Sequence, residues 1–134
     1  MDKLIESEIS RLVIDQTSDS QMVFLREKNG SGRCFPIIIG TIEALALHRA
    51  LNGEKPERPM THELLLNILN SLNAKITKVI VTDLRGNTFY ALITIEVADK
   101  VIEIDSRPSD ALTLAVHFNA PILVSDKVYK DVVG

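Results

Sequence analysis

The densest run of side chains able to do chemistry is Asp105-Ser106-Arg107-Pro108-Ser109-Asp110. It falls where a β-branched run ends and a proline-led helical pattern begins. Such a junction exposes free backbone N–H groups and the positive end of a helix dipole, both suited to an anion such as phosphate. Arg107 can grip phosphate through its planar fork. Asp105 and Asp110 offer the hard oxygens that Mg2+ or Mn2+ takes, and Asp83, before the turn Arg85-Gly86-Asn87, is a third carboxylate for the same ion. An ion held there would assist phosphodiester hydrolysis. His62, beside Thr61, is the candidate for proton transfer. The same residues have a plainer reading: Asp110 stabilises its helix dipole by about 0.3–1 kcal/mol, Arg107 pairs with Asp105, and Asp83 shapes a hairpin. The sequence has no close-spaced His/Cys/Asp metal motif, Gly-rich phosphate loop or Gly-x-Ser-x-Gly elbow.

The elements that must position these residues follow from the hydrophobic pattern. Strand-like runs lie around Ile9–Ile14, Met22–Glu27, Ile76–Asp83, Thr88–Val97, Val101–Asp105 and Pro121–Val124, separated by polar or glycine-containing turns. The run Cys34–Ile39 is nearly all apolar, which predicts a central strand buried on both faces. Pro36 within it has no N–H to donate and predicts a bulge or an unpaired position. Helices are predicted from Thr41 to Asn52, from Thr61 to Leu72, and from Pro108 past Phe118, with a short last helix capped by Ser125. Thr61 is the expected cap of the second helix, whose Leu64, Leu65, Ile68, Leu69 and Leu72 form an apolar stripe. Glu54–Met60 reads as a linker.

The two halves match at a constant offset of 67 residues. Ile9-Ser10-Arg11-Leu12-Val13-Ile14 aligns with Ile76-Thr77-Lys78-Val79-Ile80-Val81, and Glu43-Ala44-Leu45-Ala46-Leu47 with Asp110-Ala111-Leu112-Thr113-Leu114. The fold class expected is therefore α+β: duplicated strand-strand-strand-helix units, about 4–53 and 75–120, with a mixed or antiparallel sheet and a connecting helix. Residues 1–134 read as a single domain. Glu43 occupies the position equivalent to Asp110, so an acidic first turn reads as a rule of the fold. Asp105 and Arg107 lack acidic or basic counterparts, which makes them the better functional candidates.

Hydrophobic residues at 46% are enough to build a core without a disulfide or structural metal. The lone cysteine, Cys34, reads as a buried thiol. A net charge of -3 and 4% aromatic residues argue against coating nucleic acid by bulk charge or by a stacking platform, but leave room for a local site. No run approaches the ~20 apolar residues of a membrane span, and the first residues carry no signal-peptide pattern, so a cytoplasmic location is expected.

The chain resembles the bifunctional nuclease domain family. The pieces that carry the resemblance are Phe35-Pro36-Ile37-Ile38-Ile39-Gly40, Glu43-Ala44, Arg58-Pro59-Met60-Thr61-His62-Glu63-Leu64, Val81-Thr82-Asp83-Leu84, Thr88-Phe89-Tyr90-Ala91 and Ile104-Asp105-Ser106-Arg107-Pro108-Ser109-Asp110-Ala111-Leu112. The resemblance implies an α+β domain that self-associates, with a dimer favoured. It also implies, for some members, degradation of DNA and RNA, an activity tied to plant relatives with a further C-terminal extension. It implies no agreed catalytic set. The expected function is a nuclease acting on DNA and/or RNA by metal-assisted phosphodiester hydrolysis. The alternative is a non-catalytic oligomeric module that binds a protein partner or a small anion.

Overall fold

The computed structural model describes residues 3–133. Its elements run β1 (Leu4–Val13), β2 (Ser20–Glu27), β3 (Cys34–Gly40), α1 (Thr41–Leu51), α2 (Thr61–Ser71), β4 (Lys75–Arg85), β5 (Thr88–Val97), β6 (Lys100–Ser106), α3 (Pro108–Phe118), β7 (Ile122–Ser125) and α4 (Asp126–Val133). The fold is α+β. The strands form one mixed sheet in the order β3-β2-β1-β7-β4-β5-β6. Neighbouring strands pair antiparallel, except that β7 runs parallel to β4. The short β7, late in sequence, thus joins the first three strands to the next three.

Turn chemistry sets the register of the second half. The β4–β5 hairpin closes through Gly86 and Asn87 and the β5–β6 hairpin through Ala98 and Asp99, all four with positive φ. Two-residue loops of this kind match the right-handed twist of the strands they join. α1 and α3 are each 11 residues long, and their bounds stand 67 positions apart. They pack against each other, with α3 also covering β4 and β5. Leu47 of α1 and Leu112 of α3 join Val23, Leu25, Val79 and Val124 of the sheet in the core.

The expectation of a doubly buried central strand at Cys34–Ile39 is overturned. β3 is an edge strand, paired only with β2, and its burial alternates: Phe35, Ile37 and Ile39 face the core while Cys34, Pro36 and Ile38 face out. A continuous apolar run therefore came from two different environments, one of them a surface. Cys34 is exposed, not a buried thiol. Pro36 needs no bulge, because the β2–β3 register is unbroken through Phe24 and Pro36. The Glu27 N–H bonds the Arg33 carbonyl at 3.0 Å, which fixes the alternation of ladder bonds. In that phase Phe35, Ile37 and Ile39 bond to β2, while the backbone groups of Pro36 and Ile38 point to the free edge. Proline stands where no donor is required.

Helix α2 also differs from expectation. Met60, not Thr61, is its N-cap residue. The Glu63 carboxylate accepts the Met60 N–H at 3.1 Å. Leu64, Leu65, Ile68 and Leu72 point away from the protein, and Leu69 alone of the apolar stripe packs on the core. The half-buried positions are His62, Glu63, Leu66 and Leu69. The Ser125 hydroxyl is buried without a hydrogen-bond partner, so it does not cap α4.

Candidate functional site

Arg107 is the residue on which the site is built. As the N-cap residue of α3 it has extended backbone, and Pro108 follows at the first helical position. Its side chain lies between the first turns of α1 and α3. Nε donates to Asp110 Oδ2 at 2.8 Å, and Nη1 to Glu43 Oε2 at 3.2 Å. Asp105, the partner expected in the plainer reading, is not engaged. Glu43 and Asp110 do both lie in the first turns of their helices, and they are also the two carboxylates that share this guanidinium.

The second Asp110 oxygen, Oδ1, lies 2.9 Å from His62 Nε2. This contact joins α2 to α3 across 48 residues of sequence. The hydrogen bond to His62, and then Arg107, hold the Asp110 carboxyl below its ordinary value, against the opposing effect of burial. Arg107 is held further into its charged form, first by Asp110 and then by Glu43. Beside His62, His117 Nε2 sits 3.7 Å from Glu63. Burial makes protonation of His117 harder, so its pKa falls despite the nearby carboxylate.

A cleft of about 700 Å3 opens beside Arg107. Glu43 and Arg107 line it, together with the β3 residues Pro36–Gly40 and the β4–β5 hairpin residues Leu84, Asn87, Thr88 and Phe89. His62 and Asp110 stand behind this wall and orient it. Gly40 makes room for Glu43: a Cβ at that position would collide with Glu43 Oε1.

The other carboxylates lie apart. Asp105 is exposed on β6, opposite Leu92, and its side chain makes no hydrogen bond or ion pair among the described residues. Asp83 is bound locally, accepting the Leu84 N–H at 2.8 Å and Arg85 Nε at 2.7 Å, with Lys127 at 3.6 Å. The Arg85 hydrogen bond, above all, lowers its pKa. None of these contacts involves Asp105 or Asp110. Among the described residues, no three His, Cys, Asp or Glu side chains converge as metal ligands. The residues do not form a dedicated cation cage.

The sequence matches the family model described as the bifunctional nuclease domain over residues 23–133. The chain belongs to the bifunctional nuclease domain family. An uncharacterized protein of Mycobacterium tuberculosis is 35% identical over 115 residues, covering 86% of this chain and 68% of that protein. "Bifunctional nuclease 2" of Arabidopsis thaliana is 27% identical over 106 residues, covering 77% of this chain and 32% of the plant protein. "Bifunctional nuclease 1" of Oryza sativa subsp. japonica is 24% identical over 109 residues and is likewise covered to 33%. The chain spans about a third of these plant relatives. Family membership and this likeness support a nuclease-related role. No helix of the described residues is long and apolar enough to cross a membrane.

Within this bifunctional nuclease domain, two segments far apart in sequence, Arg58–Leu64 and Ile104–Leu112, meet through His62 and Asp110. Sequence reading found both but not their contact, because spacing along a chain says nothing about which helices pack together. The contact of Glu43 with Arg107 is hidden in the sequence for the same reason.

Proposed function

We propose that this chain is a nuclease that hydrolyses phosphodiester bonds of DNA or RNA at the mouth of the cleft, where Glu43 and Arg107 meet solvent. The observation that carries this is Arg107, 63% exposed at its side chain yet fixed from behind by two carboxylates. A guanidinium oriented in this way is ready to receive a phosphate oxygen without ordering a flexible side chain first. Glu43, 26% exposed, is the carboxylate on the cleft side and the candidate to accept a proton from an attacking water. His62 and Asp110 act as positioning residues.

The local charge argues for a divalent cation that travels with the substrate. One guanidinium faces two carboxylates, so a bare phosphate meets no net attraction. Mg2+ is commonly held by one or two carboxylates plus substrate phosphates, not by a full protein cage. Mg2+ or Mn2+ is the expected ion; Asp105, exposed and without a partner among the described residues, is not one of the residues that line the cleft.

Purified protein should cleave single-stranded DNA or RNA with Mg2+ or Mn2+ and lose cleavage in EDTA. Arg107→Ala and Glu43→Gln should each slow turnover by about a hundredfold, the usual effect of removing one stabilising group at the reacting centre. Equal cleavage by both variants and the parent protein would indicate a contaminating nuclease and end the assignment.

The chain is further proposed to work as a homodimer through α2. Leu64 and Leu72 are 52% and 63% exposed, and the charged residues of this helix, His62 and Glu63, are turned inward. A two-fold contact places a patch near its own copy, so an apolar face without charge is self-compatible. Ile102 and Ile104 of β6 are a second exposed apolar pair: they lie cross-strand from buried Ile95 and Ile93 but remain exposed. The same face supports the second reading, a non-catalytic oligomeric module, which requires dimerisation without turnover.

A further inference from the structure

Most residues that line the cleft are apolar or uncharged. Of its lining residues, Arg107 and Glu43 are the two that carry charge. The apolar lining includes Met22 and Ile38 from β2 and β3 and Leu84 and Phe89 from the β4–β5 hairpin. Met22 and Ile38 are cross-strand partners on the outer face of β2 and β3. Ile38 is 69% exposed, so its side chain is open to an occupant of the cleft. Phe89 is half-buried, with its ring stacked on Phe35 at 5.5 Å between centroids, so its place in the wall is fixed.

Backbone chemistry completes the cleft. β3 is an edge strand, and the phase of its ladder leaves the Ile38 N–H and C=O directed away from β2. One residue thus offers a donor and an acceptor side by side along an apolar slot. Two residues earlier, Pro36 has no N–H, which interrupts the edge and discourages an added peptide strand. An occupant that matches is flat, mostly apolar on its faces, and able to both accept and donate at its rim. Its size is also bounded, because about 700 Å3 falls in the usual range for a small-molecule site.

We propose that this cleft, lined by Ile38 and Phe89, holds a nucleobase of the strand whose phosphate Arg107 receives, with the base's edge read by the Ile38 backbone. The inference rests on the nuclease reading above and names its substrate class: single-stranded nucleic acid, because a base stacked in a duplex cannot enter the slot. It also accounts for affinity at a site whose own charge does little to attract an anion.

The test uses fluorescence anisotropy with a labelled eight-nucleotide oligothymidylate, an abasic oligomer of the same length and the matching duplex. Ca2+ replaces Mg2+ to slow turnover. The single strand should bind about tenfold more tightly than the abasic oligomer, the scale of one base contact, and more tightly than the duplex. The double variant Met22→Ser/Ile38→Ser should bring the two single strands to the same weak affinity with an unchanged Tm. Both substitutions are at surface positions and conserve charge. Equal, Arg107-dependent binding of both single strands would overturn the base slot while leaving the nuclease reading intact. Absence of binding by any of the three probes would overturn both.

Discussion

Arg107 stands where the first half of the chain has Gly40, and this difference between two N-cap positions organises the site. Glycine at one helix start leaves space, and arginine at the other fills it, reaching both Glu43 and Asp110. Gly40 adopts φ -74 and ψ 166, a conformation open to any residue, so its role is the space it leaves and not its backbone freedom. Gly40→Ala should therefore keep the fold, at a cost of at most about 1 kcal/mol at an N-cap. The new methyl group displaces only the flexible end of Glu43. Turnover should drop about as far as in Glu43→Gln while Tm barely moves, as measured by parallel nuclease assays and thermal melts. Retained activity in Gly40→Ala would remove Glu43 from the reacting centre.

At the scale of elements, α2 shows how an apolar stripe can be recognised and still be misplaced. Periodicity in Leu64, Leu65, Ile68, Leu69 and Leu72 correctly marks a helix with one apolar face. It does not say what covers that face. Here the inward side is held partly by polar contacts, His62 to Asp110 and Glu63 to His117. The apolar side is exposed and is the face on which the dimer proposal rests. Leu64→Glu/Leu72→Lys should convert a dimer to a monomer in sedimentation or light scattering, with little change in helix content, because neither side chain contributes to the core. A monomeric parent protein at micromolar concentration would defeat the dimer proposal. β3 teaches a related lesson: Cys34–Ile39 reads as one buried strand by composition, but alternation hides half of it and offers the other half to solvent and the cleft.

At the scale of the molecule, the ends of the chain close the structure around the core. Tyr129 of α4 is fully buried, its hydroxyl 2.7 Å from Ser7 of β1 and its ring edge-on to Phe35 of β3 at 5.2 Å. Arg33, just before β3, binds Glu27 of β2 at 3.0 Å and Asp126 of α4 at 2.7 Å. The Arg33 hydrogen bond, above all, holds the buried Glu27 carboxyl down to about 2 from its ordinary 4.5. A carboxyl lowered in the folded state binds protons more readily when unfolded, so its contribution is complete above about pH 4.5 and fades as pH falls toward 2. Urea unfolding followed from pH 7 down to pH 3 should show this loss. Arg33→Ala should reduce stability at neutral pH by about 2 kcal/mol or more, since it leaves a buried carboxylate without its cation. A variant as stable as the parent would show that the Arg33–Glu27 contact contributes little.

Local chemistry made much of this protein legible in one dimension. The turn at Arg85-Gly86-Asn87, proline at the head of α3, and alternating or helical apolar patterns specify most elements, because each depends only on residues a few positions apart. The Asp105–Asp110 run and His62 were visible for the same reason. Tertiary packing decided everything that depends on distant pairs: β7 between β1 and β4, the exposed stripe on α2, Arg107 between Glu43 and Asp110, and the cleft that the free edge of β3 makes with the β4–β5 hairpin. Side-chain type limits what a residue can bind, but only the folded chain determines which partners come within reach of it.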